Sequence, residues 1–436
     1  MKMLMTTRTS RPVSENRVSR MKLPLAVTVL VLSFTVAPAQ AQSFSVIHTF
    51  SGGPDGAVPE AGLTIDGAGN LYGTTEFGGS QVCGGGCGTV FKLSYRGGGW
   101  VLTTIYGFIG YLDSGYPVGR VVFGPDGALY GTTSGGEYCD LACGTVFRLA
   151  PPATPCRSIT CPWTKTILYR FQNSPDGATP EGDLVFDAAG NLYGTTMAGG
   201  AHGLGTVYKL THSNGNWTQS VLYSFAGLPD GASPVSGVVF DNAGNLYGTT
   251  PIGGNTNPPR DTSGLGVIFK LTPSGSGWTE SVLHAFTSES SSGQGPYGGL
   301  TFDSAGNFYG ATLAGGGGFC LDGGYEGCGT VYQGAGNTIY TFTVQFGQGS
   351  GGPLGPMTLD AQGNLYGASS AMGADYYGNV FELTAGQYAY TSLYSFTGGS
   401  DGRTPVGNVV FDRNGNLYGV TSRGGTQYGV VWEITP

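Results

Sequence analysis

Five acids, Asp55, Asp113, Asp176, Asp230 and Asp401, stand in a repeated setting, Asp-Gly-x-x-Pro or, at Asp113, Asp-Ser-Gly-Tyr-Pro. Carboxylates brought around one opening could hold Ca²⁺, a hard cation that takes six to eight oxygens. The same residues are equally the chemistry of a turn, because Asp accepts backbone hydrogen bonds and Gly followed by Pro bends a chain. Two corresponding crossings, before Tyr309 and Tyr366, lack the acid. No cofactor is expected, and Ca²⁺ is the one ion this pattern would admit. A second set, Asp66, Asp187, Asp241, Asp303, Asp360 and Asp412, opens Asp-x-x-Gly-Asn, and copy two departs with Gly124-Pro125-Asp126-Gly127. Single-Asp turns lack the alternating oxygens of an EF-hand loop, so these read as hairpin turns.

Aromatic residues supply a different chemistry. Tyr138, Phe319, Tyr325, Tyr376, Tyr377 and Tyr428 fall in Gly-rich loops, and the long loop from Pro251 to Gly266 adds Arg260 and Asp261. Rings beside polar groups suit stacking on sugars; rings packed on their own loop glycines are the plainer alternative. Trp100, Trp163, Trp217 and Trp278 each precede a Phe by eight residues, a regularity that reads as packing.

No nucleophile constellation is present: the four histidines sit in neither His-Glu-x-x-His nor any other catalytic setting, and Gly-x-Ser-x-Gly is missing. His48 and His284 occupy a position that is Tyr in other copies. Paired carboxylates donated by separate repeats remain open as glycoside chemistry. Catalysis is therefore the weaker expectation and binding the stronger.

The eight cysteines fall in close pairs, Cys83 with Cys87, Cys139 with Cys143, Cys156 with Cys161, and Cys320 with Cys328. In an exported chain this predicts four local disulfides. Loops this short contribute about 2 kcal/mol each in the chain-entropy model, enough to pin loops but not to hold a fold. The spacings lack the Cys-x-x-Cys knuckles and partner His of structural zinc sites.

The elements that must position these residues are set by one phrase. Asn-Leu-Tyr-Gly-Thr-Thr or a close variant returns seven times, with tyrosines at Tyr72, Tyr130, Tyr193, Tyr247, Tyr309, Tyr366 and Tyr418, spaced 52 to 63 residues apart. That period is near the roughly 50 residues of a four-stranded kelch blade. In the unit from 235 to 286, Gly237–Asp241, Asn245–Thr250, Val267–Leu271 and Trp278–Phe286 read as four short strands bounded by turn residues. After the seventh phrase only Gly429–Ile434 follows, and the missing fourth strand is found at Val46–Phe50, which matches Val221–Phe225 and Ser392–Phe396. The chain is thus expected to be an all-β, seven-bladed propeller of four-stranded antiparallel blades, closed by its N-terminal strand.

Residues 1–41 read as an export leader. Lys2, Arg8, Arg11, Arg17, Arg20 and Lys22 precede the apolar stretch Leu23–Val36 and the small-x-small signal Ala39-Gln40-Ala41, with Met21 an alternative start. Cleavage after Ala41 leaves residues 42–436 as one propeller domain. It also leaves 13 Lys plus Arg against 26 Asp plus Glu, a balance that argues against nucleic acid. No later stretch approaches the roughly 20 apolar residues of a membrane span.

The run "FDNAGNLYGTT…GLGVIFKLTPSGSGWTESVLHAF" resembles the GloVer (Gloeo/Verruco) tandem repeat of exported bacterial proteins, and the resemblance extends over nearly all of residues 43–436. It implies an exported repeat protein and brings no catalytic residues. The family's varied C-terminal surface anchors have no counterpart here, which favours a periplasmic or released, monomeric protein. The leading expectation is a binding or scaffolding module for glycan or an envelope protein. The rival is an enzyme on polysaccharide or a small ester, with Ca²⁺ or a carboxylate pair at the channel mouth. A surface-layer building block is third.

Overall fold

The computed structural model describes residues 42–135, 143–152, 163–255, 264–275, 277–288, 292–317, 320–322, 325–343 and 351–436. Residues 1–41, where an export leader is expected, lie outside them. Seven four-stranded antiparallel sheets form the ring. Blade one is Thr64–Ile65, Leu71–Thr75, Thr89–Arg96 and Gly99–Gly107. Blade four is Val239–Phe240, Leu246–Thr250, Val267–Ser274 and Gly277–Ala285, in the order read from sequence. Blade seven joins Arg403–Phe411, Leu417–Arg423 and Val430–Thr435 to Ser43–Thr49, and the register runs Ser43 to Thr435 through Thr49 to Val430. The N-terminal strand therefore closes the ring, as expected.

Each phrase acts locally. The Asp of the turn accepts from the backbone two and four residues on and from the Asn side chain; at Asp66 these bonds are 2.9, 2.9 and 2.7 Å. The phrase tyrosine then returns its hydroxyl to the same carboxylate, 3.0 Å at Tyr72 and 3.1 Å at Tyr193. In copy two, Asp126 takes that hydroxyl and adds Arg148 in an ion pair of 2.6 Å. These acids are spent on their own hairpins.

The phrase glycine has a steric reason. A Cβ at Gly73 would lie 2.5 Å from Phe91, at Gly194 2.6 Å from Tyr208 and at Gly419 2.3 Å from Trp432. The third-strand ring of the same blade rests on each one. That close approach keeps the position side-chain-free.

The core lies between blades. Phe50, Phe108, Phe171, Phe225, Phe286, Phe342 and Phe396, one at the end of each outer strand, are all buried. Each packs on the third-strand aromatic of the next blade, with centroids 4.9 Å apart for Phe171–Tyr208 and 5.3 Å for Phe50–Phe91. A ring so buried contributes about 1.5–3 kcal/mol. The four outer-strand tryptophans pack backwards on phrase tyrosines, Trp100 on Tyr418 at 5.6 Å and Trp163 on Tyr72 at 6.3 Å. Among the described residues no helix is long and apolar enough to cross a membrane.

Candidate functional site at the axial mouth

The five crossing acids sit at outer seams between blades. Each is clasped by a ring seven residues earlier on the outer strand: Tyr106 to Asp113 at 2.8 Å, Tyr169 to Asp176 at 2.6 Å, Tyr223 to Asp230 at 2.9 Å, and Tyr394 to Asp401 at 3.0 Å. His48 takes the same place against Asp55 at 3.2 Å. Backbone N–H groups of Ser51, Ile109, Gln172, Ala226 and Thr397 complete the clasps. Burial lowers the pKa of His48 although the Asp55 bond and charge oppose it, and burial with the Asp401 bond pushes Tyr394 up to about 12. In the blade that carries His284 the acid is replaced, and the Thr287 N–H goes to Ser292 Oγ.

The next blade's outer strand bridges three of these seams. Thr104 Oγ1 donates to the Pro54 carbonyl at 2.9 Å, Gln219 Nε2 to the Asp176 carbonyl at 3.1 Å, and Lys165 Nζ to the Asp113 carbonyl and, at 2.9 Å, to its carboxylate. Lys165 Nζ also lies 4.4 Å from the centroid of Phe108. Farther around, Phe44 stacks on Tyr394 at 3.6 Å and Tyr340 on Tyr390 at 5.2 Å. None of the five acids lines the axial mouth, and among the described residues no group of three or more His, Cys, Asp or Glu is disposed to hold a metal.

One cysteine from each of three pairs and two of the loop tyrosines occupy one structural column. Cys87, Cys143, Leu204, Leu265, Cys328, Tyr377 and Tyr428 each precede the Gly that opens a third strand. The column closes the gap above a crossing. Tyr428 lies over Gly52, Tyr377 over Gly398, Leu204 over Gly227, and the Cys83–Cys87 disulfide over Gly110. Backbone bonds fix the arrangement, Val58 N–H to the Tyr428 carbonyl and Tyr116 N–H to that of Cys87, both 2.9 Å. Cys320–Cys328 is the second fully described disulfide, and Cys143 is disulfide-bonded. These bonds suit an oxidising, exported compartment. Cys139, Cys156, Cys161, Tyr138, Phe319, Arg260 and Asp261 lie outside the described residues. Tyr325 falls in a two-residue strand paired with Leu321–Asp322. Tyr376, Tyr377 and Tyr428 keep part of their rings in solvent, and Tyr111, after the Cys83–Cys87 loop, is 71% exposed.

The axis itself gathers a different set. Immediately after each crossing Pro, the chain turns into the innermost strand, so Glu60, Val118, Glu181, Val235, Tyr297, Leu354 and Val406 converge from all seven blades around a cavity of about 300 Å³. Below them Arg120 spans to Asp183, giving Nε and its backbone N–H to the carboxylate at 2.9 Å each. Asn408 lines the same level. Gly62, Gly237 and Gly299 line it as well, and a Cβ at Gly62 or Gly237 would collide with Asn408 or with the Asp183 backbone.

Two carboxyls at the mouth are electrostatically displaced. Burial raises Glu60 to about 7, with the nearby Glu76 adding and Arg423 opposing. Burial likewise raises Glu181 to about 7, again with a contribution from Glu76. Burial also raises Glu76. Among the described residues, neither Glu60 nor Glu181 has a hydrogen-bond or ion-pair partner. A concave site with convergent polar groups and shifted carboxyls is where binding or proton transfer is usually found. Reasoning from sequence missed both. The signal available was the column after each repeated Pro, where two acids interrupt an otherwise apolar series.

Comparison with known proteins follows the fold. Among solved structures, a putative oxidoreductase (glucose dehydrogenase) from Thermus thermophilus matches at 14% identity and TM-score 0.41, covering 90% of this chain and 99% of that one. A putative 6-phosphogluconolactonase from Bacteroides fragilis matches at 13% identity and TM-score 0.44, covering 83% and 87%. A chain of a nidogen/laminin complex matches at 16% identity and TM-score 0.38, covering 70% and 89%. Likeness at these scores carries no functional argument. No curated protein matches the sequence. The model of the Gloeobacter/Verrucomicrobia repeat, in contrast, matches residues 31–161 and 157–319, more than half of the chain, and with the seven repeated blades this makes the protein a member of that repeat family.

Proposed function

We propose that this propeller is an exported binding module whose axial mouth takes the end of a neutral oligosaccharide. One observation carries the reading. The mouth joins a cavity of about 300 Å³ to carboxyl groups that have no partner within the described protein. Sugar hydroxyls are the natural complement, since they both donate to and accept from a carboxyl. Tyr297 supplies an apolar ring at the same level, and the exposed rings of Tyr111, Tyr376 and Tyr428 on the same face offer stacking surfaces for residues beyond the first. Export is supported by the basic-apolar leader and the disulfides. A released or periplasmic address fits an envelope glycan as ligand.

Binding to a glycan array, followed by titration calorimetry with the best neutral oligosaccharide, tests this directly. Glu181→Ala and Tyr297→Ala should each weaken the ligand at least tenfold while leaving the fold intact. A blank array, or affinity unaffected by both substitutions, would count against the reading and leave an envelope protein as the partner to seek.

A second reading has its own support. Carboxyls poised near 7 are suited to act as general acids at neutral pH, so Glu60 or Glu181 would serve hydrolysis of a glycoside. Turnover that falls above about pH 7, and loses that fall in Glu181→Gln, would favour an enzyme. Purely reversible binding would favour the module.

A further inference from the structure

The seam between blades three and four differs from the two before it in the side chain that reaches the crossing. In the seam between blades one and two, Lys165 donates to the backbone carbonyl of the crossing acid Asp113. In the next seam Gln219 does the same for Asp176 at 3.1 Å. Both stand six residues before the Phe that ends their outer strand, and in blade four that place belongs to Glu280. A carboxylate cannot donate. Glu280 Oε1 is nonetheless buried and without a hydrogen-bond partner. It is within electrostatic reach of Asp230, whose own oxygens already accept from the Tyr223 hydroxyl and from the Ala226 and Gly231 N–H groups.

The groups that face Glu280 are few. Asp230 comes from the crossing and Tyr223 from the outer strand of blade three, while the residue opposite it within its own sheet is Leu271. Among the described residues no Lys, Arg or His forms an ion pair with it.

We propose that this seam is closed by a proton: Glu280 in its acid form donates to the Asp230 crossing as Lys165 and Gln219 do in theirs, and losing that proton loosens blades three and four. Two carboxylates this close repel when both are charged. Burial and Asp230 raise Glu280 to about 7, which places the change near neutrality. The sign follows from linkage: a carboxyl raised in the folded state holds its stabilising proton below the unfolded value, near 4.5, and that contribution is lost as pH rises to about 7. Glu280→Gln is the substitution the protein itself already uses at Gln219.

Thermal unfolding of the wild type and Glu280→Gln, measured from pH 4.5 to 8.5, tests the proposal. The two should coincide at the acid end, and the variant should become progressively the more stable up to about pH 8. At pH 8, hydrogen exchange of the Ala226 and Gly231 amides should be about tenfold slower in the variant, the equivalent of one pKa unit. Parallel pH profiles would overturn the assignment. So would Ca²⁺ at pH 8 restoring the wild type but not the variant, since a bound cation, not a proton, would then join the two carboxylates. Should Glu280→Gln fail to fold, carboxyl NMR of the wild type decides, and titration of Glu280 near 4.5 refutes the proposal.

Discussion

Asp55 and Glu60, and again Asp176 and Glu181, lie five residues apart in the same stretch of a repeat, on either side of the same Pro. Their surroundings are opposite. Asp176 receives the Tyr169 hydroxyl at 2.6 Å and the Gln172 N–H at 3.2 Å, and a neighbouring blade binds its carbonyl. Glu181 reaches the axis, where it is partly buried and no donor of the described protein meets it. One acid of each pair stabilises the ring, whereas the other is held at a cost that an outside ligand could offset. The difference teaches where to look: saturated acids explain the fold, and unsaturated ones are available to function.

Substitutions on the two sides of that Pro should therefore separate stability from binding. Asp176→Ala leaves two donors unmet at a seam and should cost about 2–4 kcal/mol in denaturant unfolding, with ligand affinity unchanged in the folded protein. Replacing Cys83 and Cys87 together by Ala should cost about 2 kcal/mol, because the closed loop is short; equal loss of binding would blur the distinction. Glu60→Gln with Glu181→Gln should have the reverse profile. Both carboxyls are raised to about 7 in the fold, so wild-type stability declines as pH rises from about 4.5 to 7. The double variant should recover about 1–2 kcal/mol at pH 8 after allowance for partial exposure, and lose ligand. Smallest of all should be Tyr428→Leu. Leu204 already fills that column over Gly227, so a change within about 1 kcal/mol is expected, and any loss of affinity would report on stacking alone.

Much of the ring was legible because seven copies repeat the same local physics. Asp66 and its equivalents show a turn acid, and the phrase tyrosine shows a strand, without reference to anything distant. The closing strand was legible from the match of Val46–Phe50 to its copies. The crossing acids were ambiguous for a definite reason. Nothing local in Asp-Gly-x-x-Pro says whether the carboxylate faces the axis or the Tyr seven residues back, although that interval, repeated four times with Tyr and once with His48, carries the answer. Glu60 and Glu181 stayed hidden because their burial is a property of the assembled ring. Only seven converging strands bring the column after Pro around one cavity. Likewise Tyr377, Tyr428 and Cys87 look unrelated in sequence and become one column once each is seen to cover a crossing glycine.

The pairing of Ser43–Thr49 with Val430–Thr435 has a consequence in time. The first strand of the propeller to be synthesised finds its partner in the last, so it stays unpaired until that last strand has been made. Closing that gap carries the largest loop entropy in the fold, although the logarithmic dependence on length keeps the penalty modest. An order of assembly follows in which local blades precede the clasp. A chain delivered across a membrane from its N-terminus would hold its latch ready on the far side, waiting for the tail to arrive.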